Sequence, residues 1–204
     1  MSPATPTVVV VDDDVSVRES LGFLIQNQGW QPALFESAQE FLARLPSVAA
    51  SCLILDVNLP DLSGLDIQQR MSDEKSSTPI IFITGYGDVP TSVRALKAGA
   101  AEFLTKPLDD GVLIGAIRDA VLSSHANLQQ EGTRRRLQDR FALLTRRERE
   151  VMNLVVKGLM NKQVGFELDI SEITVKAHRG RVMEKMQART FVDLVNMARS
   201  LESA

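Results

Sequence analysis

Short, uninterrupted apolar runs alternate with helix-length amphipathic segments from residue 7 to residue 123, and no other feature of the chain leaves so few folds open. Val8-Val9-Val10-Val11 and Ile80-Ile81-Phe82-Ile83 offer no polar side chain to turn toward water, as expected of strands covered on both faces. The pattern predicts strands at Thr7–Val11, Gln31–Phe35, Cys52–Asp56, Pro79–Thr84 and Glu102–Thr105. Helices are expected between them at Val15–Gln28, Ser37–Leu45, Ser63–Asp73, Val89–Ala98 and Asp109–Ser123, the second opening on a Ser37/Glu40 capping box. Five such units in succession imply an α/β fold with a doubly wound, mostly parallel sheet.

Past this region the pattern changes. Residues 123–140 turn polar, with Gln129-Gln130 and Arg134-Arg135-Arg136, and read as a linker that can be helical. From 141 onward no strand alternation remains. Thr145 and Glu148 form a second capping box ahead of a helix that stops at Gly158. Helices at Asn161–Leu168 and Glu172–Met186, the latter capped by Ser171, and one from Thr190 to Leu201 complete an all-α four-helix unit. The expected organisation is therefore 6–122, a linker at 123–140, and 141–204.

Charge divides along the same line. Residues 1–123 carry 16 Asp+Glu against 8 Lys+Arg, a net of -8, whereas 124–204 carry 10 against 15, a net of +5. An acidic half suits a cation and a basic half a polyanion, although solvated surface charge accounts for either alone. No apolar run approaches the roughly 20 residues of a membrane span, and the start MSPATPT is unlike a signal peptide, so a cytoplasmic protein without a membrane partner is expected. Cys52, the single cysteine, sits in an apolar run and reads as a small core residue.

In a doubly wound sheet, ligands bind beyond the carboxyl ends of the strands, near the point where strand order reverses. Strand one runs into Asp12-Asp13-Asp14, strand three ends on Asp56, strand four on Thr84, and strand five leads into Lys106. Any one aspartate after a strand is most simply a turn former. Converging carboxylates repel one another and call for a hard cation, of which Mg²⁺ is the obvious candidate. The ordered set of Asp12-Asp13, then Asp56 with Pro60 and Gly64, then Thr84-Gly85, then Lys106-Pro107, resembles the CheY-like receiver domain of two-component response regulators. Thr84-Gly85-Tyr86-Gly87-Asp88-Val89-Pro90 is similar to the FixJ branch of that family.

That resemblance implies a flavodoxin-like sheet of order 2-1-3-4-5. It also implies Asp56 as a carboxylate nucleophile phosphorylated by a sensor histidine kinase. Asp13, Asp56 and the Asn58 backbone carbonyl would ligate Mg²⁺, with Asp12 helping through water. Lys106 would pair with Asp56 and later with phosphate oxygens, while Thr84 and Phe103 would form the switch. A rival reading is a haloacid-dehalogenase-like phosphatase, which needs a second aspartate two positions after its nucleophile, but residue 58 is asparagine. No glycine-rich phosphate loop follows the first strand. The chain is accordingly not expected to be an enzyme acting on external substrates, although hydrolysis of its own Asp56 phosphate would serve as a timer.

In the basic half, two helices joined at Asp169-Ile170 have helix-turn-helix proportions. Val175, Val182 and Met186 fall on one arc of the second, leaving Lys176, Ala177, Gly180 and Arg181 to project elsewhere. A solvated basic face is the plainer account of such a helix. Leu144-Thr145 with Glu148 and Glu150-Val151, then Gly158–Gln163, Ile170–Glu172, Thr174-Val175-Lys176 and His178, resemble the LuxR-type DNA-binding domain. This resemblance makes Glu172–Met186 the recognition helix, with Lys176, Ala177 and Gly180 facing bases. Lys162, Thr174 and Arg179 become candidates for phosphate contacts, with Arg181 a further cation able to reach the DNA. Gly180 departs from the longer polar residue of some relatives, and Asp169 from the glycine common in the turn. His178, with no second ligand near it in sequence, reads as a surface or packing residue. The resemblance further implies promoter DNA and RNA polymerase as partners, dimerisation on phosphorylation through Val89–Ala98 and Glu102–Thr105, and regulation, most simply activation, of transcription. A protein-docking role for the C-terminal unit is the alternative.

Overall fold

The structure, a computed structural model, describes residues 5–44 and 49–202. It comprises two compact units, Met1–Leu128 and Gln129–Ala204. In the first, β1 (Thr7–Val11), β2 (Gln31–Phe35), β3 (Ala50–Asp56), β4 (Ile80–Thr84) and β5 (Glu102–Thr105) form one sheet of order β2-β1-β3-β4-β5. Every pairing is parallel. Helices α1 (Val15–Asn27), α2 (Ala38–Arg44), α3 (Gly64–Asp73) and α4 (Val89–Lys97) cross between strands, and α5 (Asp110–Ala142) follows β5. The expected flavodoxin-like topology is thus present, and its order reverses between β1 and β3.

The apolar strand runs are explained by period-two alternation between two covered faces. Val8, Val10, Cys52, Ile54, Ile81 and Ile83 pack on one side with Leu21 and Ile25 of α1 and Leu113 and Ile117 of α5. Val9, Val11, Leu53, Leu55 and Phe82 pack on the other with Phe41 of α2, Ile67 and Met71 of α3 and Ala95 of α4. Cys52 is fully buried, and desolvation pushes its thiol up to about 12, so it is the packing residue its apolar neighbours suggested.

Several bounds shift by a single residue, and three differences are informative. β3 begins at Ala50 because Ala50 pairs with Thr7 ahead of a register irregularity. α2 covers Ala38–Arg44, and Leu45, its expected last residue, lies outside the described segments. Ser37 Oγ accepts from the Glu40 N–H at 3.2 Å, but the Glu40 carboxylate takes the N–H of Glu36 instead of that of the cap, and Asp61 accepts from Ala38 and Gln39. The third difference is largest: the helix expected to end at Ser123 continues as α5 to Ala142, so residues 123–140 are helical throughout. No proline follows Pro107, and the Arg, Gln and Leu of this segment are good helix formers.

In the second unit, α6 (Arg146–Val156), α7 (Asn161–Leu168), α8 (Glu172–Met186) and α9 (Phe191–Glu202) enclose Val151, Met152, Val164, Val175, Val182, Met186 and Leu194, with Leu137 and Leu144 joining from the chain ahead of α6. Gly158 ends α6 with φ 92°, a conformation open to glycine. Asp169 ends α7 at φ 53°, a left-handed position that aspartate tolerates better than most residues, so the turn closes without the expected glycine.

Candidate functional site

Strand register assembles the acidic site. Val11 pairs with Leu55, so Asp12 and Asp56 emerge side by side from β1 and β3. Thr84 pairs with Thr105, and the Lys106 N–H donates to the Thr84 carbonyl at 2.8 Å, placing the lysine over the same edge. One carboxylate oxygen from each of Asp12, Asp13 and Asp56 lies within 4.8 Å of the others. Asp12 and Asp56 are buried and Asp13 is exposed. Lys106 Nζ bridges the buried pair, 2.7 Å from Asp12 Oδ2 and 2.6 Å from Asp56 Oδ2. The sequence expectation paired Lys106 with Asp56; the structure adds Asp12 as an equal partner.

Burial and hydrogen bonding oppose one another here. Burial pushes the Asp12 carboxyl above its ordinary value, and the Lys106 ammonium and Asp14 N–H offset only part of that. For Lys106 burial favours the neutral amine, but hydrogen bonds to Asp12 and Asp56 prevail and raise its pKa. Three carboxylates against one ammonium leave the site formally negative, and its donors are all oxygen, a set suited to a hard divalent cation.

Asn58 connects this cluster to Thr84. Its backbone N–H donates to Asp56 Oδ1 at 2.8 Å, and its side-chain Nδ2 donates to Thr84 Oγ1 at 3.2 Å. The Tyr86 N–H donates to the same hydroxyl, also at 3.2 Å, so the fully buried Thr84 is held from both sides. Phe103, half-buried, packs against Phe82 with ring centroids 6.2 Å apart. Gly87 presses on both: a Cβ there would lie 2.8 Å from Thr105 Cγ2 and 3.3 Å from Phe103 Cε1 and Thr84 Cγ2. Asn58 was singled out for its carbonyl; its carboxamide bond to Thr84 has no signature in the sequence.

In the second unit the inward stripe expected for α8 is present, with Val175, Val182 and Met186 fully buried. Lys162, Thr174, Lys176, Ala177, Gly180 and Arg181 are exposed. Arg179 is not a free surface cation. Its Nη1 donates to Asn161 Oδ1 at 2.7 Å and its guanidinium lies 5.6 Å from the Phe191 ring centroid. Lys176 sits 3.7 Å from Glu172, an exposed pair of little energetic weight. His178 is half-buried with its Nδ1 unpartnered among the described residues, which fits packing.

The capping box at Thr145 is complete, since Glu148 accepts from the Thr145 N–H at 2.8 Å and Thr145 Oγ1 from the Glu148 N–H at 3.3 Å. Lys185 of α8 also reaches Glu148, at 2.6 Å, and the Leu143 carbonyl at 3.2 Å. The sequence disclosed Glu148 as a cap, but not that the capping carboxylate anchors α8. Gly165 is required by close packing: a Cβ would stand 2.7 Å from the Ile170 carbonyl oxygen.

Residues 8–118 match the response regulator receiver domain, and residues 142–198 match the luxR family of bacterial regulatory proteins. The chain belongs to the response regulators. It is 46% identical to Nodulation protein W of Bradyrhizobium diazoefficiens over 194 residues, covering 95% of this chain and 86% of that protein. It is 42% identical to Transcriptional regulatory protein FixJ of Rhizobium meliloti over 195 residues, covering 94% of each. Among solved structures it resembles the response regulator StyR, with a TM-score of 0.86 and 42% identity over 96% of this chain and 99% of that one. This response regulator therefore joins a receiver, which implies a sensor kinase as partner, to a LuxR-type domain, which implies DNA. No helix among its described residues is long and apolar enough to cross a membrane.

Proposed function

We propose that phosphorylation of Asp56 by a sensor histidine kinase controls dimerisation and promoter binding by this cytoplasmic regulator. The observation that carries the reading is Lys106 held between the buried Asp12 and Asp56, beside Asp13, at the switch point of the sheet. The Asp56 carboxylate attacks the phosphorus of a phosphohistidine; a P–O bond forms as the P–N bond breaks, and the histidine leaves. Lys106 passes from the carboxylate to the phosphoryl oxygens. Asp13, Asp56 and the Asn58 carbonyl would hold Mg²⁺ directly, with Asp12 acting through water. When bound, that ion neutralises charge on the transferring group and draws acceptor and donor together.

The new phosphate adds about -1.5 to -2 charge and needs a bistable element to be read at a distance. Thr84 leaves its bonds with Asn58 and Tyr86 to donate to a phosphoryl oxygen, and Phe103 turns inward behind it. These movements reshape α4 and β5, where Val89, Val93 and Leu96 are exposed apolar residues able to meet a second copy. Of the boundaries 6–122, 123–140 and 141–204, the middle segment, helical within α5, carries the change between the two functions. The chain turns over no external substrate.

In the C-terminal domain α8 enters the major groove of promoter DNA with Lys176, Ala177, Gly180 and Arg181 toward it. Lys162, Thr174 and Arg179 contact phosphates, Arg179 from a guanidinium already oriented by Asn161 and Phe191. RNA polymerase is then the partner through which the bound dimer acts, as an activator. The phosphoacceptor assignment is tested by exposing the wild type and Asp56→Asn to a radiolabelled low-molecular-weight phosphodonor. The wild type should label and the variant should not; equal labelling would refute Asp56. DNA binding is tested by titrating salt, where each phosphate contact should contribute about -0.9 to the log–log slope, and a flat response would favour protein docking.

A further inference from the structure

The outward face of α8 has a residue that neither composition nor motif brings forward. Ile173, in the first turn, is a large β-branched side chain that is 80% exposed. Helical periodicity places Ile173, Ala177 and Gly180 on one stripe, at i, i+4 and i+7. Val175 and Val182, each two residues from a member of that stripe and so about 200° around the helix, are fully buried. The stripe therefore points directly away from the core, with Lys176 and Arg181 beside it. None of the three residues offers a side-chain hydrogen-bonding group.

Gly180 supports the same reading. A glycine inside a helix costs about 1 kcal/mol relative to alanine, and a built Cβ would meet nothing within 4 Å, so no intramolecular packing requires it. A small, flat centre to the stripe admits a surface that approaches the helix backbone. In a major groove the only apolar feature of a base edge is the thymine C5-methyl group. The N-terminal turn of a helix-turn-helix recognition helix is the part that reaches base edges.

We propose that Ile173 is a specificity-determining residue that reads a thymine by packing on its C5-methyl group, while Lys176 and Arg181 supply the polar contacts alongside. The inference rests on the placement of α8 in the major groove. It predicts a thymine in each half-site whose methyl group, rather than its hydrogen-bonding pattern, is recognised.

The experiment uses the phosphorylated full-length chain and a duplex selected by it from a random pool, with each thymine replaced in turn by deoxyuridine, which lacks only the methyl. At one thymine per half-site the replacement should weaken binding about fourfold, the value of one buried methyl-sized group. Ile173→Ala should weaken binding to the thymine duplex by a similar or larger factor, and should abolish the difference between thymine and uracil at that position alone. Ile173→Val should retain most of it. Equal thymine-to-uracil losses in wild type and Ile173→Ala, or no sensitive thymine at all, would overturn the proposal. If Lys176→Ala still lowers affinity in that event, groove placement stands and only the methyl reading fails. If the full chain selects no duplex, both fail together.

Discussion

The two proposed functional surfaces of this regulator are built on opposite principles. At the carboxyl edge of the sheet, Asp12, Asp56 and Thr84 are buried, and each is held by named partners at hydrogen-bonding distance. On α8, Lys176, Ala177, Gly180 and Arg181 are exposed, and the lysine pairs with Glu172 one turn away. Buried charges interact strongly and fail individually, whereas solvated ones contribute small, additive increments. The receiver site should accordingly depend on single residues, and the DNA surface should lose function by degrees.

Lys106→Ala is the sharpest way to break that contrast. Removing the ammonium leaves Asp12 and Asp56 facing each other without a cation and takes away the group that would meet the phosphoryl oxygens. Phosphorylation should slow by about a hundredfold or more, the usual cost of a lost charge-stabilising donor. Rates of labelling by a phosphodonor would measure it, and a change under threefold would show that the bridge is incidental.

Gly165→Ala tests packing beneath the DNA surface. With 2.7 Å between the new Cβ and the Ile170 carbonyl, the α7–α8 turn must shift, and the second unit should lose about 1–3 kcal/mol. Trp30 and Tyr86 both lie in the first unit, so tryptophan fluorescence follows the receiver while far-UV ellipticity also registers the helices of the second. The variant should lower only the transition invisible to Trp30.

Lys176→Ala sharpens the comparison from the other side. Folding should be unchanged, because an exposed ion pair contributes at most about 1 kcal/mol, while affinity for the selected operator should fall by about tenfold and affinity for unrelated DNA much less. Equilibrium binding to the two duplexes would check this. A complete loss would mean that the DNA surface is as concentrated in single residues as the receiver site.

The smallest effect concerns Glu148. Burial disfavours its charge, but Lys185 and Thr145 outweigh burial and hold the carboxyl below its ordinary value of 4.5. A folded-state pKa below the unfolded one means that ionised Glu148 stabilises the second unit above about 4.5 and loses that contribution as pH falls through the lower, folded value. The stability of the second unit, read from unfolding followed by ellipticity, should fall with acid through this window, and Glu148→Gln should flatten that part of the profile.

Legibility in the sequence followed the same division. Strands buried on both faces must be apolar without interruption, so β1 and β4 announced the sheet, and each polar residue ending a strand announced the site. Helix α8 was legible through its inward residues, whose burial is all-or-none. Apart from the Lys106–Asp56 pair, which came with the family resemblance, contacts between residues distant in the chain were not legible: Lys185 with Glu148, Asn58 with Thr84 and Lys106 with Asp12 depend on three-dimensional proximity and not on spacing. The extent of α5 was only half legible, as a linker that can be helical, for a different reason. A polar helix and a polar linker share a composition, and only the absence of proline separated them. Ile173 escaped notice because an exposed apolar residue looks like a core residue until the helix is placed.

The central claim is that charge added at Asp56 is read as affinity at α8. Binding of the full-length chain to its selected duplex, measured with and without phosphodonor for the wild type and for Asp56→Asn, tests that claim most directly. The account predicts tighter binding, together with dimerisation, on phosphorylation of the wild type and no response in the variant. Equal affinity in all four conditions would contradict it.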